Sequence, residues 1–529
     1  MLFRMKNFTF VLSILTLITG SYAAYGRSSV VEEIFRWKQI SYENLPQSEN
    51  SYVGPYRYYI PENNNMASMA FHPASGLMIV NVFRIRPGIP ATLAAFCVQD
   101  YSTGSSPKLW GFPNYEVNTL SASDFDARRF FENSWRTGHK KPNKHHNNYY
   151  GQNNYQNNYQ NNYYGGHGGH GGHHNNYYGS YPSYYQKPYY KPTPSAITTT
   201  QKPKNSLRIV STYTASVDEK CNRAFTIDVG LLNYYNNDTR VIQKPAILVF
   251  GLAQDCCQTR EFPLIRRSEI PDDVAGPIPF GTLFLKLDYQ SSDCDDLFIY
   301  ITNPFSNQII VYDYKNDDFW TFTSHPTFAP VIAESHLVYD KTFFYDLPLG
   351  VVGIALGYAD EYGDRPAYYF PGSSTAQFAV STEVLKDKRK APTNYDPDDF
   401  AIMGYRGCDH QAANAAIDYT YGVMFYAEMQ SNSIRCWNMK KPLNPDNIGV
   451  VYESDILLYS IAIFIDSRGY LWFNTGSLPI IFLTDDPLNL NEYNNRIFRV
   501  KVSDAIRGTV CEDEEDSYRL ADLYNDYDH

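Results

Sequence analysis

Residues 297–322 read LFIYITNPFSNQIIVYDYKNDDFWTF: three runs rich in Ile, Val, Phe and Tyr, separated by NPFSN and YKNDD. Short runs of β-branched and aromatic residues form strands. Pro, Asn and Asp supply the restricted or left-handed φ angles and the local hydrogen bonds of tight turns. The stretch therefore predicts an antiparallel meander. Five further units repeat the pattern: MAFHPASGLMIVNVF (69–83), VGIALGYADEYGDRPAYYF (352–370), YGVMFYAEMQSNSIRCWN (421–438), IAIFIDSRGYLWFNTG (461–476) and, with a longer loop, AFTIDVGLL (224–232) to PAILVFGL (245–252). Long helical periodicity is scarce between them. Six such units, recurring about every 65 residues, predict an all-β fold, a six-bladed β-propeller with long loops on one face; a pair of packed sheets is the alternative. A ring closes by joining its first and last blades, so the segment near residues 35–60 is expected against the last strands, including NRIFRVKV (495–502).

One stretch breaks the pattern. GQNNYQNNYQNNYYGGHGGHGGHH (151–174) has no aliphatic residue to bury and cannot offset its ordering entropy. It lies within residues 140–204, which hold no Asp or Glu and read as a disordered low-complexity insertion between two parts of the propeller, 25–139 and 205–510. Thirteen tyrosines fall between residues 149 and 190, and seven of the chain's 12 histidines between His139 and His174. Exposed phenols couple oxidatively to dityrosine and imidazoles add to quinones, which gives the insertion a cross-linking or adhesive reading; a passive loop is the plain one. His145, His146, His167, His170, His173 and His174 offer imidazoles, but a Gly-rich loop has neither fixed geometry nor supporting partners, so no metal site is expected.

The ends set the compartment. Arg4 and Lys6, an apolar run from Phe8 to Ile18, and small residues at Ser21, Ala23 and Ala24 form the pattern of a signal peptide over residues 1–24. The mature chain is thus expected to be secreted and extracellular, with no membrane partner, since no later segment reaches the roughly 18 apolar residues of a span. Eight cysteines in that setting predict disulfides, and the vicinal Cys256 and Cys257 are expected to bridge to two different partners. Asn237, in Asn-Asp-Thr, is a glycosylation acceptor. A net charge of −11 excludes a nucleic-acid-binding surface, and residues 511–529 form an acidic tail. No nucleophilic triad, phosphate-binding loop or zinc-protease motif is present, and no cofactor is expected. His72 and His410 read as turn or core histidines.

Several segments carry a resemblance. NVFRIRPGIPATLAAF (81–96), DEKCNRAFTIDVG (218–230), GVMFYAEMQSNSIRCWN (422–438) and NEYNNRIFRV (491–500) resemble signature segments of the Yellow and major royal jelly protein family of insects. Ala224 and Phe225 stand where that family has Leu and Trp, and Gly476 where it has Asn. The resemblance implies a secreted six-bladed propeller acting in pigmentation and hardening of cuticle or eggshell. Its partners would be matrix proteins of those layers, with catecholamine-derived quinones or biogenic amines as ligands; the alternatives are a dopachrome-converting isomerase and an amine-binding protein. It implies ligand contacts at Arg84, Asp228, Gln411, Tyr426 and Asn474 around one channel mouth. It also implies half-cystines, Cys221 with Cys294 and Cys408 with Cys436.

Overall fold

The computed structural model describes residues 31–127, 207–233, 239–276 and 284–513. The expected signal peptide, the expected insertion, the expected glycosylation site Asn237 and the part of the expected tail beyond residue 513 lie outside the described residues. The described residues carry six four-stranded antiparallel sheets, one for each of the six sequence units. Blade I comprises Met66–His72, Leu77–Val82, Leu93–Cys97 and Trp110–Gly111. Blade II comprises Thr212–Asp218, Arg223–Asp228, Ala246–Gly251 and Leu264–Glu269. Blade III runs from Leu285–Tyr289 to Asp318–Phe322, blade IV from Val351–Leu356 to Ala401–Tyr405, and blade V from Ala412–Asp418 to Ile448–Glu453. In these five the first strand is innermost.

Blade VI closes the ring. Its inner strands Ile463–Ile465, Tyr470–Thr475 and Asn495–Lys501 are completed by Glu32–Trp37, which pairs antiparallel to Asn495–Lys501 with Trp37 opposite Asn495. The closing strand thus begins at residue 32, slightly ahead of the expected segment. Arg496 and Arg499 reinforce the seam through Glu33 at 2.5 Å and Glu32 at 2.9 Å.

Sheets stacked around an axis bury both faces of their middle strands, so these strands are apolar throughout and do not alternate. Leu77–Val82, Leu93–Cys97 and Val423–Glu428 are buried at every position, whereas the outermost strand Ala401–Tyr405 is largely exposed. The hairpin turns share a device. The residue just before the following strand is left-handed in Gly76, Asn222, Asn307, Asn432 and Gly469, with φ between 48° and 74°. Gly and Asn adopt that conformation at least cost, which is why these turns carry them.

Three disulfides are present. Cys221–Cys294 joins the first hairpin turns of blades II and III, Cys97–Cys257 joins blade I to a short helix of blade II, and Cys436–Cys511 ties blade V to the segment after blade VI. Two expectations are corrected. Cys436 pairs with Cys511, not Cys408: its buried sulfur lies beside that of Cys511, both of them within reach of a Cβ on Gly449, while Cys408 is exposed and free. The vicinal pair does not take two partners. Cys256 and Cys257 open one helical turn and so point about 100° apart, leaving Cys256 buried and free while Cys257 reaches Cys97. The bond to Cys511 also places the first residue of the expected acidic tail in the folded body.

Candidate functional site

The innermost strands all run in one direction, so their starts and the turns between each blade's second and third strands share one face of the ring. On that face lies a small, largely apolar pocket lined by Phe83, Tyr213, Phe305, Leu347, Leu349 and Tyr459 together with Leu478, Pro479, Phe482 and Leu483. Five blades contribute. Phe83 follows a strand of blade I, Tyr213 stands near the start of blade II, Phe305 sits in a turn of blade III, Leu347 and Leu349 lead into blade IV, and Tyr459 leads into blade VI.

The last four form one stripe of a short helix, Leu478–Leu483, that roofs the pocket. Spacing of three and four residues puts 478, 479, 482 and 483 on one side, and Pro479 in its first turn is preset to helical φ. A helix this short leaves its C-terminal carbonyls without partners. Arg86, from blade I, supplies them: its guanidinium donates to the carbonyls of Ile480 (2.9 Å), Ile481 (3.0 Å), Thr484 (2.5 Å) and Asp486 (2.7 Å). At the other end Tyr339 donates to Ser477 Oγ at 3.1 Å, or accepts from it.

The polar groups of the pocket are two phenols. Tyr213 packs edge to face against Phe83, with centroids 4.9 Å apart. Tyr459 holds a left-handed backbone at φ 49°, a conformation costly for an aromatic residue. Neither hydroxyl has a hydrogen-bond partner among the described residues. Burial raises the pKa of both, and the Tyr459 phenol adds to the effect at Tyr213. Both are therefore neutral donors and acceptors. The described lining holds no carboxylate, imidazole or ammonium. Such a pocket stacks on a flat apolar ring and hydrogen-bonds a carbonyl or hydroxyl on it.

Of the residues expected at the mouth, Arg84, Asp228, Gln411 and Asn474 lie at or next to strand ends on this face and Tyr426 within the strand Val423–Glu428, and none lines the pocket. Arg84 is buried and spends all five N–H donors on the carbonyls of Ile89, Pro90, Asn118, Ile209 and Val210, at 2.6–3.3 Å. Asp228 accepts from the Val210, Ser211 and Gly230 amides and from Gln243 Nε2 at 2.6–3.0 Å. Burial lifts its pKa against the pull of those bonds. Arg84 thus holds the carbonyls and Asp228 the amides of residues 209–211, so the fold brings these two of the five together on one segment. Asn474 Oδ1 accepts from the Ile461 and Ala462 amides, fixing the start of blade VI. Gln411 donates to Glu334 O at 3.1 Å, and the fully buried Tyr426 lies with its ring 5.3 Å from the Arg406 guanidinium. His72 bridges Ser75 and Asn222, and His410 pairs with Glu428 at 2.7 Å. Sequence reasoning missed Tyr213 and Tyr459. The sparse signal was an aromatic residue just ahead of, or just inside, an innermost strand.

A family description, Major royal jelly protein, matches residues 210–511. Yellow-related salivary protein ASP4 of Phlebotomus orientalis is 37% identical over 308 residues, covering 58% of this chain and 74% of that protein. Yellow-related salivary protein SP03 of Phlebotomus perniciosus is 36% identical over 307 residues, 58% and 75% respectively. The L-dopachrome tautomerase yellow-f of Drosophila melanogaster is 33% identical over 306 residues, 58% and 68%.

Proposed function

The chain belongs to the Major royal jelly protein family, and from that premise we propose that it is an extracellular Yellow-type propeller that takes up a neutral, flat product of catechol oxidation at its channel mouth. In this role it supports pigmentation or hardening of an insect cuticle or eggshell. The observation that carries the reading is the aromatic pocket with the unpartnered hydroxyls of Tyr213 and Tyr459. An extracellular setting is supported by three disulfides and by relatives named as salivary proteins.

The lining favours binding over catalysis and a neutral ring over an amine. Proton transfer needs a group with pKa near the working pH, and both phenols are pushed away from it. An ammonium entering the pocket would find no counter-ion among the described lining residues. Calorimetry of 5,6-dihydroxyindole against dopamine tests this: saturable heat with the indole and none with the amine is expected, and the reverse order overturns it. The relative named as a dopachrome tautomerase supports the enzymatic alternative. Dopachrome decay proportional to protein concentration would replace the binding role with that activity.

A further inference from the structure

A second, small cavity lies in the channel between the innermost strands. Lys286 of blade III projects into it, and the one hydrogen bond of its ammonium is a long 3.4 Å contact to Ala415 O across the ring. No carboxylate belongs to the described lining. Three further groups face the same space without an acceptor. Asn414, 6% exposed, accepts from the Ala415 amide at 2.9 Å through Oδ1 and leaves its amide nitrogen unused. The hydroxyls of Ser68, 4% exposed, and of Ser216 have no partner among the described residues.

An unpaired cation with hydroxyl and amide donors around it, in a partly buried channel, is the donor set of an anion site. We propose that the channel binds one small carboxylate, with Lys286 as its counter-charge and Ser68, Ser216 and Asn414 as hydrogen-bond donors to its oxygens. One positive charge suits a monovalent anion, because a dianion would leave a charge uncompensated by the described lining. Phe284 and Phe464, in the same wall, match the carbon end of a carboxylate better than a hydrated halide. Burial holds the Lys286 pKa down to about 8, so the amine is protonated at neutral pH and its desolvation is relieved by a bound anion.

Equilibrium dialysis of the full secreted chain with labelled acetate in chloride-free buffer at neutral pH tests the site. One acetate per chain is expected, with affinity reduced about tenfold or more in Lys286→Met and about threefold in Ser68→Ala. Lys286→Met removes an unpaired buried charge and is expected to fold; Ser68→Ala, which deletes one hydroxyl, provides the second readout. Absence of saturable acetate binding to the wild type overturns the proposal. So does undiminished binding in both variants, or chloride displacing acetate at lower concentration than acetate itself binds.

Discussion

Tyr213 and Tyr459 bring two buried phenols with unspent hydroxyls to the pocket itself. Replacing both by Phe keeps the ring packing and removes only the hydrogen bonds offered to a ligand. Affinity for 5,6-dihydroxyindole is therefore expected to fall about tenfold with no loss of melting temperature, measured by calorimetry and thermal unfolding. Arg84 predicts the opposite. Arg84→Ala leaves five carbonyls without their donor, and unfolding should become easier by at least about 3 kcal/mol, while ligand affinity of the remaining folded protein is unchanged. Lysine should not restore it, since a point charge cannot span a five-donor fork. Lys286 gives a pH signature. Its folded pKa of about 8 lies below its ordinary value of 10.5, so below about pH 8 both states hold the proton and the folded state bears the full desolvation cost. Between about 8 and 10.5 the unfolded chain holds more protons, and stability rises with pH. The described lining has no other titratable group, and Asp288, two residues along the strand, is occupied by Arg365 and Tyr300. Denaturation of wild type minus Lys286→Met across that window should show the rise; a flat difference contradicts the buried ammonium.

At the scale of elements, the strand units were legible because stacked sheets leave a plain mark: apolar runs, ended by turns whose last residue is Gly or Asn. The pocket roof was not. Leu478–Leu483 is six residues long, too short for a helical period to register, and its one local sign is Pro479 in the first turn. Its other determinant, Arg86, lies nearly 400 residues away in sequence. The same distance hid the disulfide partner of Cys436, because spacing does not record which side of a strand a cysteine faces. Arg86→Ala should free the last carbonyls of the helix. Faster amide exchange over residues 480–484, and ligand dissociation faster by several-fold, are expected while exchange in the blade cores stays slow. Unchanged exchange in the helix would mean that its packing, and not Arg86, holds it.

For the whole molecule, closure depends on a strand from the far end of the chain. Removing residues 31–37 exposes the edge of Asn495–Lys501 together with its Arg496 and Arg499, and loss of cooperative unfolding is expected in calorimetry. The Tyr- and His-rich residues 140–204 belong to a different question: peroxidase treatment should cross-link the full chain and leave a chain lacking them monomeric on a denaturing gel. That experiment is feasible because of how the described segments flanking residues 128–206 are joined. The Ile209 amide donates to Val117 O at 2.8 Å, Arg84 holds Asn118 and Val210 at once, and Arg208 pairs with Asp124. These two chain segments are held together by contacts among the described residues, and the entropy of closing a loop grows only slowly with its length. The propeller therefore owns a socket, a position where selection, or an engineer grafting an epitope or a fluorescent domain, can exchange one long payload for another without renegotiating the ring.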